Sequence, residues 1–83
     1  MERLSLGQVL KIERIKKGIS QKALAKKIGM SNTYLSEIEG AKQDPSMKML
    51  HKIASAIDVK MEDVIAKSTY GKIGQNRVFQ EGE

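Results

Sequence analysis

The chain has 83 residues, 40% hydrophobic and 30% charged, which suits one small globular core rather than a disordered chain. It has no cysteine and one histidine, His51, which excludes a disulfide framework and any thiolate or multi-histidine metal centre. Fifteen Lys and Arg against ten Asp and Glu leave a net charge of +5. No apolar run reaches the ~20 residues of a bilayer span, and Met1-Glu2-Arg3-Leu4-Ser5 lacks the apolar stretch of a secretory signal. A cytoplasmic protein with neither cofactor nor metal is the expectation.

Glycines punctuate the chain. Gly18, Gly29 and Gly40 recur at intervals of eleven, each after a segment of helical periodicity, and a left-handed glycine is expected to close each helix. The only proline, Pro45, marks a fourth boundary. The pattern predicts an all-α fold of five short helices. The first runs from about Leu6 to Lys17. Ser5 caps it, Gln8 completes a capping box, and Leu4 staples onto Val9. Leu6, Leu10 and Arg14 form its stripe, with Val9 and Ile15 beside it.

A second helix spans about Gln21 to Ile28, capped by Ser20, with Leu24, Ala25 and Ile28 inward. A third spans about Asn32 to Glu39, capped by Ser31, with Leu35 and Ile38 inward and small polar residues outward. The fourth starts either with Asp44 as cap and Pro45 in the first turn, or after Pro45 with Ser46 as cap. It buries Leu50, Ile53, Ala54 and Ile57. A fifth, about Met61 to Ala66, packs Val64 and Ile65 and starts weakly, because Lys60 is no capping residue. Residues 1–67 form the domain. Residues 68–83 carry Gly71, Gly74 and Gly82 and no apolar stripe, and are read as a tail, disordered or serving as a dimerisation arm. The five methionines are read as core filler, and His51 as an ordinary surface or half-buried residue.

The charge is one-sided. Residues 1–30 hold eight bases and two acids, whereas residues 31–83 hold seven bases and eight acids. That asymmetry is the footprint of a polyanion partner, or else a solubilising lysine face.

The stretch from Gln21 to Gly40 reads Gln-Lys-Ala-Leu-Ala-Lys-Lys-Ile-Gly-Met-Ser-Asn-Thr-Tyr-Leu-Ser-Glu-Ile-Glu-Gly. It resembles the helix-turn-helix of the lambda-repressor-like (Xre/Cro type) family. Ala25 is small where the third helix crosses the second, and Gly29 makes the turn. The resemblance extends over residues 5–66 through Leu10, Arg14, Ile38-Glu39-Gly40, Pro45-Ser46 and the fourth-helix apolar residues. Lys22, Gly40-Ala41 and Glu37 depart from common members, and the tail lies outside it.

The resemblance implies that residues 32–39 form a recognition helix for double-stranded DNA. Asn32 and Thr33 are the leading base-reading candidates, then Ser36. Glu37 repels phosphate and requires a cytosine amino group or solvent as partner. The family implies a phosphate contact at Gln21. Ser31 also sits at a helix N-terminus that favours an anionic oxygen. Lys22, Lys42 and Gln43 are further phosphate candidates, and Tyr34 serves either phosphate contact or packing. Lys16, Lys17, Lys26 and Lys27 contribute to the field. Arg14 and Glu39 are implied to form a structural ion pair.

The leading expectation is a sequence-specific transcriptional regulator, a repressor, binding an inverted-repeat operator as a homodimer. The alternative is a protein-interaction module on the same scaffold, with a protein partner engaged through the tail. No nucleophile–base pair or paired carboxylates support an enzyme. Val64, Tyr70, Val78 and Phe79 are the expected dimer contacts.

Overall fold

A computed structural model describes residues 4–68, which form five helices: α1 (Leu6–Lys16), α2 (Gln21–Ile28), α3 (Asn32–Glu39), α4 (Met47–Ala56) and α5 (Met61–Lys67). Tyr70, Val78 and Phe79 lie outside the described residues. α1 packs on α3, α4 and α5, α2 packs on α3 and α4, and α4 packs on α5. Leu10, Leu24, Leu35, Ile38, Leu50, Ile53, Ile57 and Val64 are almost fully buried where these helices meet.

Local chemistry sets the helix starts. The Ser5 hydroxyl accepts from the Gln8 amide at 3.1 Å, and the Gln8 side chain accepts from the Ser5 amide at 2.9 Å, completing the capping box. Ser20, Ser31 and Ser46 each accept from the amide three residues on, so the fourth helix takes the second of its two expected starts. α5 has no side-chain cap at Lys60. Glu62 and Asp63 in its first turn complement the helix dipole instead.

The helix ends share one device. After each of the first four helices a residue turns left-handed and two crossed backbone bonds close the last turn. Gly18 and Gly29 do this at φ 73° and 70°. After α3 the expectation fails by one residue: Gly40 stays at φ −89° and Ala41 takes φ 64°. The Gly40 amide still bonds the Ser36 carbonyl at 2.9 Å, so the helical turn runs one residue further than the glycine suggested. Asp58 closes α4 at φ 60°, a conformation that short polar side chains tolerate better than most.

Three apolar assignments change. Ile15 is 56% exposed, because five residues past Leu10 is ~140° around a helix with 3.6 residues per turn. Met47, in the first turn of α4, is 57% exposed rather than core filler. Val64 is 1% exposed, packed inside the core, and offers no surface for a dimer contact.

α1 and α3 meet at Gly7. A Cβ built there would lie 1.7 Å from the Ile38 carbonyl oxygen, so only glycine permits the approach. At the far end of α1, Glu13 accepts from Lys67 Nζ at 3.0 Å and ties α5 to α1. This hydrogen bond, with the positive charges of Lys16 and Lys17, holds the Glu13 carboxyl below its ordinary value of 4.5 against the opposing effect of burial.

Two measurements test these contacts. Gly7→Ala improves helix propensity by ~1 kcal/mol but drives a methyl into backbone, an overpacking that costs ~3 kcal/mol, so urea melts should show a net loss. Undiminished stability in Gly7→Ala would show that the two helices separate freely. A carboxyl with a lowered folded pKa stabilises the fold above its unfolded value and loses that contribution as pH falls through the folded one. The wild type should therefore unfold at a higher temperature than Glu13→Gln at pH 6. The gap should close as the pH is lowered below 4.5 and through the depressed folded value. A pH-independent gap would mean that the carboxylate charge is not what ties α5 down.

Candidate nucleic-acid interface

One chain of hydrogen bonds joins three helices behind the α3 surface. Arg14, buried on α1, donates from Nε to Glu39 Oε2 at 2.7 Å and from Nη2 to Glu39 Oε1 at 2.9 Å. Its Nη1 donates to the Ile19 carbonyl at 2.6 Å. Glu39 Oε1 also accepts from Gln21 Nε2 at 3.1 Å, and Gln21 Oε1 accepts from Asn32 Nδ2 at 3.2 Å. The first residue of α2 therefore bonds both the first and the last residue of α3. The side chains of Arg14 and Glu39 are 8% and 2% exposed, and among the described residues no buried side-chain nitrogen or oxygen lacks a partner. A bidentate pair with its remaining donors satisfied is the arrangement in which buried charge is tolerated.

The outer side of α3 follows from the inner one. Leu35 and Ile38 are buried, which turns Asn32, Thr33 and Ser36 to the surface. Glu37 is half-buried, and its carboxylate accepts from Gln43 Nε2 in the following loop. Tyr34 is half-buried against the core. Ser31 caps α3, its hydroxyl accepting from the Tyr34 amide at 3.0 Å. Lys22 on α2 and Lys42 after α3 are exposed.

The candidate residues thus separate into groups. The structure brings Gln21 onto Asn32 and Gln43 onto Glu37, so two residues read as phosphate contacts also hold residues read as base contacts. Two of the lysines read as field contributors have local tasks as well. Lys27 Nζ donates to the Ala56 carbonyl at 3.0 Å, and Lys17 Nζ donates to the Asp58 carbonyl at 3.2 Å. Both place positive charge at the C-terminal end of α4, where the helix dipole favours it. These bonds span 29 and 41 residues, and no local pattern announces them. Gly7 was likewise missed. A glycine in the first turn of a capped helix is its one local signal.

Five helices with a short second and third joined by a tight glycine turn, the third presenting a polar face, define a helix-turn-helix domain. The helix-turn-helix family model matches residues 10–64, and the chain belongs to that family, of the lambda-repressor-like (Xre/Cro) type. Its relatives include the ImmF control region 10 kDa protein of Bacillus phage phi105, 43% identical over 68% of this chain and 62% of its own length. The HTH-type transcriptional regulator SinR of Bacillus subtilis is 38% identical over 72% of this chain and 55% of its own. Control protein C.BamHI of Bacillus amyloliquefaciens is 33% identical over 90% of this chain and 94% of its own. The chain therefore spans a little under two thirds of the phage protein and about half of SinR. Among the described residues no helix is long and apolar enough to cross a membrane.

The buried pair is open to a double-mutant test. Glu39→Ala leaves the Arg14 guanidinium without its carboxylate and should cost ~3–5 kcal/mol in urea melts. The combination of Arg14→Met with Glu39→Leu should recover much of that loss, because well-packed apolar groups commonly replace a buried ion pair without penalty. A cost below ~0.5 kcal/mol for Glu39→Ala, the scale of an exposed pair, would contradict the burial.

Proposed function

We propose that this protein is a sequence-specific double-stranded DNA-binding transcriptional regulator, a repressor, that reads the major groove with α3 and acts as a cytoplasmic homodimer on an inverted-repeat operator. The observation that carries the reading is the exposed face of Asn32, Thr33 and Ser36, held from behind by the Arg14–Glu39–Gln21–Asn32 chain. Eight residues at 1.5 Å each make α3 ~12 Å long, matching the ~12 Å width of the major groove. One Asn32 amide hydrogen goes to Gln21. The second hydrogen and Oδ1 remain in the pattern that pairs with adenine N7 and N6.

Around this face, Lys22 and Lys42 supply phosphate contacts that set register, and Ser31, Tyr34, Gln43 and the N-terminal end of α2 at Gln21 add polar ones. The relatives support regulation as the setting: one is named a transcriptional regulator, one a control protein, and another phage phi105 protein an immunity repressor. Two α3 helices in a dimer should sit ~34 Å apart, giving half-site centres ~10 bp apart.

Base contacts specify and phosphate contacts position, so two kinds of variant should behave differently. Asn32→Ala should cost ~1–3 kcal/mol on the selected operator and little on scrambled duplex. Lys42→Ala should weaken both about equally and lower the slope of log affinity against log salt by roughly one. Fluorescence anisotropy across a salt range reads all of these. Equal losses for Asn32→Ala on both duplexes would remove α3 from base reading. A wild type that distinguishes no duplex would point instead to a protein-interaction module on this scaffold.

A further inference from the structure

We infer that Gln43, in the loop between α3 and α4, is a positioning residue that fixes how Glu37 reads the groove, and that the base selected is cytosine. The inference rests on the DNA reading above and sharpens it at one base pair.

A carboxylate on a DNA-facing helix is an anomaly. It repels phosphate and can accept hydrogen bonds but not donate them. Guanine presents only acceptors in the major groove, and thymine an acceptor and a methyl group. Adenine places its amino donor beside the N7 acceptor, which repels a carboxylate, whereas cytosine presents its N4 amino group without a neighbouring acceptor. An ionised Glu37 at a base edge therefore favours cytosine.

Glu37 is one turn beyond Thr33, so it lies on the side of α3 that carries Thr33, one of the exposed residues Asn32, Thr33 and Ser36. It differs from them in being half-buried and held at both ends by one loop. Its carboxylate accepts from Gln43 Nε2 through Oε1. Its main-chain carbonyl accepts from the amides of Lys42 and Gln43 at 2.9 and 3.3 Å. The left-handed Ala41, at φ 64°, turns the chain so that this loop returns over the end of the helix. Oε1 already accepts from Gln43, so Oε2 has the greater remaining capacity for a base. A glutamate ordered before binding loses less side-chain freedom on contact than an unrestrained one, which sharpens discrimination. Gln43 is itself exposed, so removing its side chain leaves the core untouched.

The test uses the full-length chain. Wild type, Glu37→Gln and Gln43→Ala are each incubated with a random duplex pool, the bound sequences are read, and anisotropy follows on operators carrying each base pair at the position that changes. Wild type is expected to select cytosine at one position on the order of tenfold over the other bases. Glu37→Gln should move that preference to adenine, because a carboxamide pairs with both N6 and N7. Gln43→Ala should flatten the cytosine preference several-fold, leave the rest of the selected sequence intact, and leave the thermal midpoint within about 2–4 °C of wild type, the scale of a surface change in a domain of this size. An unchanged selected sequence in Gln43→Ala, whatever its melting temperature, would make Gln43 a phosphate contact or a brace of the fold only and overturn the inference. Glu37→Gln selecting the wild-type sequence would overturn it too while leaving DNA reading by α3 intact. A wild type that selects nothing would overturn the DNA reading itself, and the inference with it.

Discussion

The guanidinium of Arg14 is held by a carboxylate 25 residues away and by the Ile19 carbonyl, in a place that water scarcely reaches. Neither charge is tolerable there alone, so the fold is constrained to bring α1 and the end of α3 together in one orientation. The consequence runs outward. Glu39 holds Gln21, and Gln21 holds Asn32, so a contact inside the molecule governs the angle at which the first turn of α3 meets its surroundings. An apolar pair of similar volume could fill the same space. It could not pass a directional constraint to a surface amide.

Close packing supplies the second constraint. Gly7 lets α1 approach the Ile38 carbonyl, and the buried faces of Leu35 and Ile38 then fix which side of α3 turns outward. A short helix with that inward side committed has little freedom to present anything but Asn32, Thr33 and Ser36.

The positive charge is partly structural. Lys17 and Lys27 reach across to carbonyls at the end of α4, and Lys67 reaches Glu13, so the basic excess also fastens helices to one another. Lys22 and Lys42 stay exposed on α2 and on the loop after α3, the elements that flank the proposed reading surface.

The five helices, the serine caps of the first three, most of the core and the family were legible in the sequence. Each depends on spacing within a few residues: a serine three before a free amide, apolar residues three and four apart, a glycine at a turn. Met47 was misjudged, and Val64 was expected at a dimer contact as well as in the packing, because exposure depends on which faces neighbouring helices cover, and periodicity within one helix does not say that. Ile15 lies off the α1 stripe by the helical period itself. Ala41 took the left-handed position expected of Gly40 because backbone bonding carried α3 one residue further. The candidate site divides the same way. Its polar residue types stood in the chain in order, but the Gln21–Asn32 bond, the reach of Lys27 to α4 and the clearance at Gly7 join residues 11, 29 and 31 positions apart. Such contacts arise only once the helices are packed, because a hydrogen bond or a clash is decided by distance in space and not by distance along the chain.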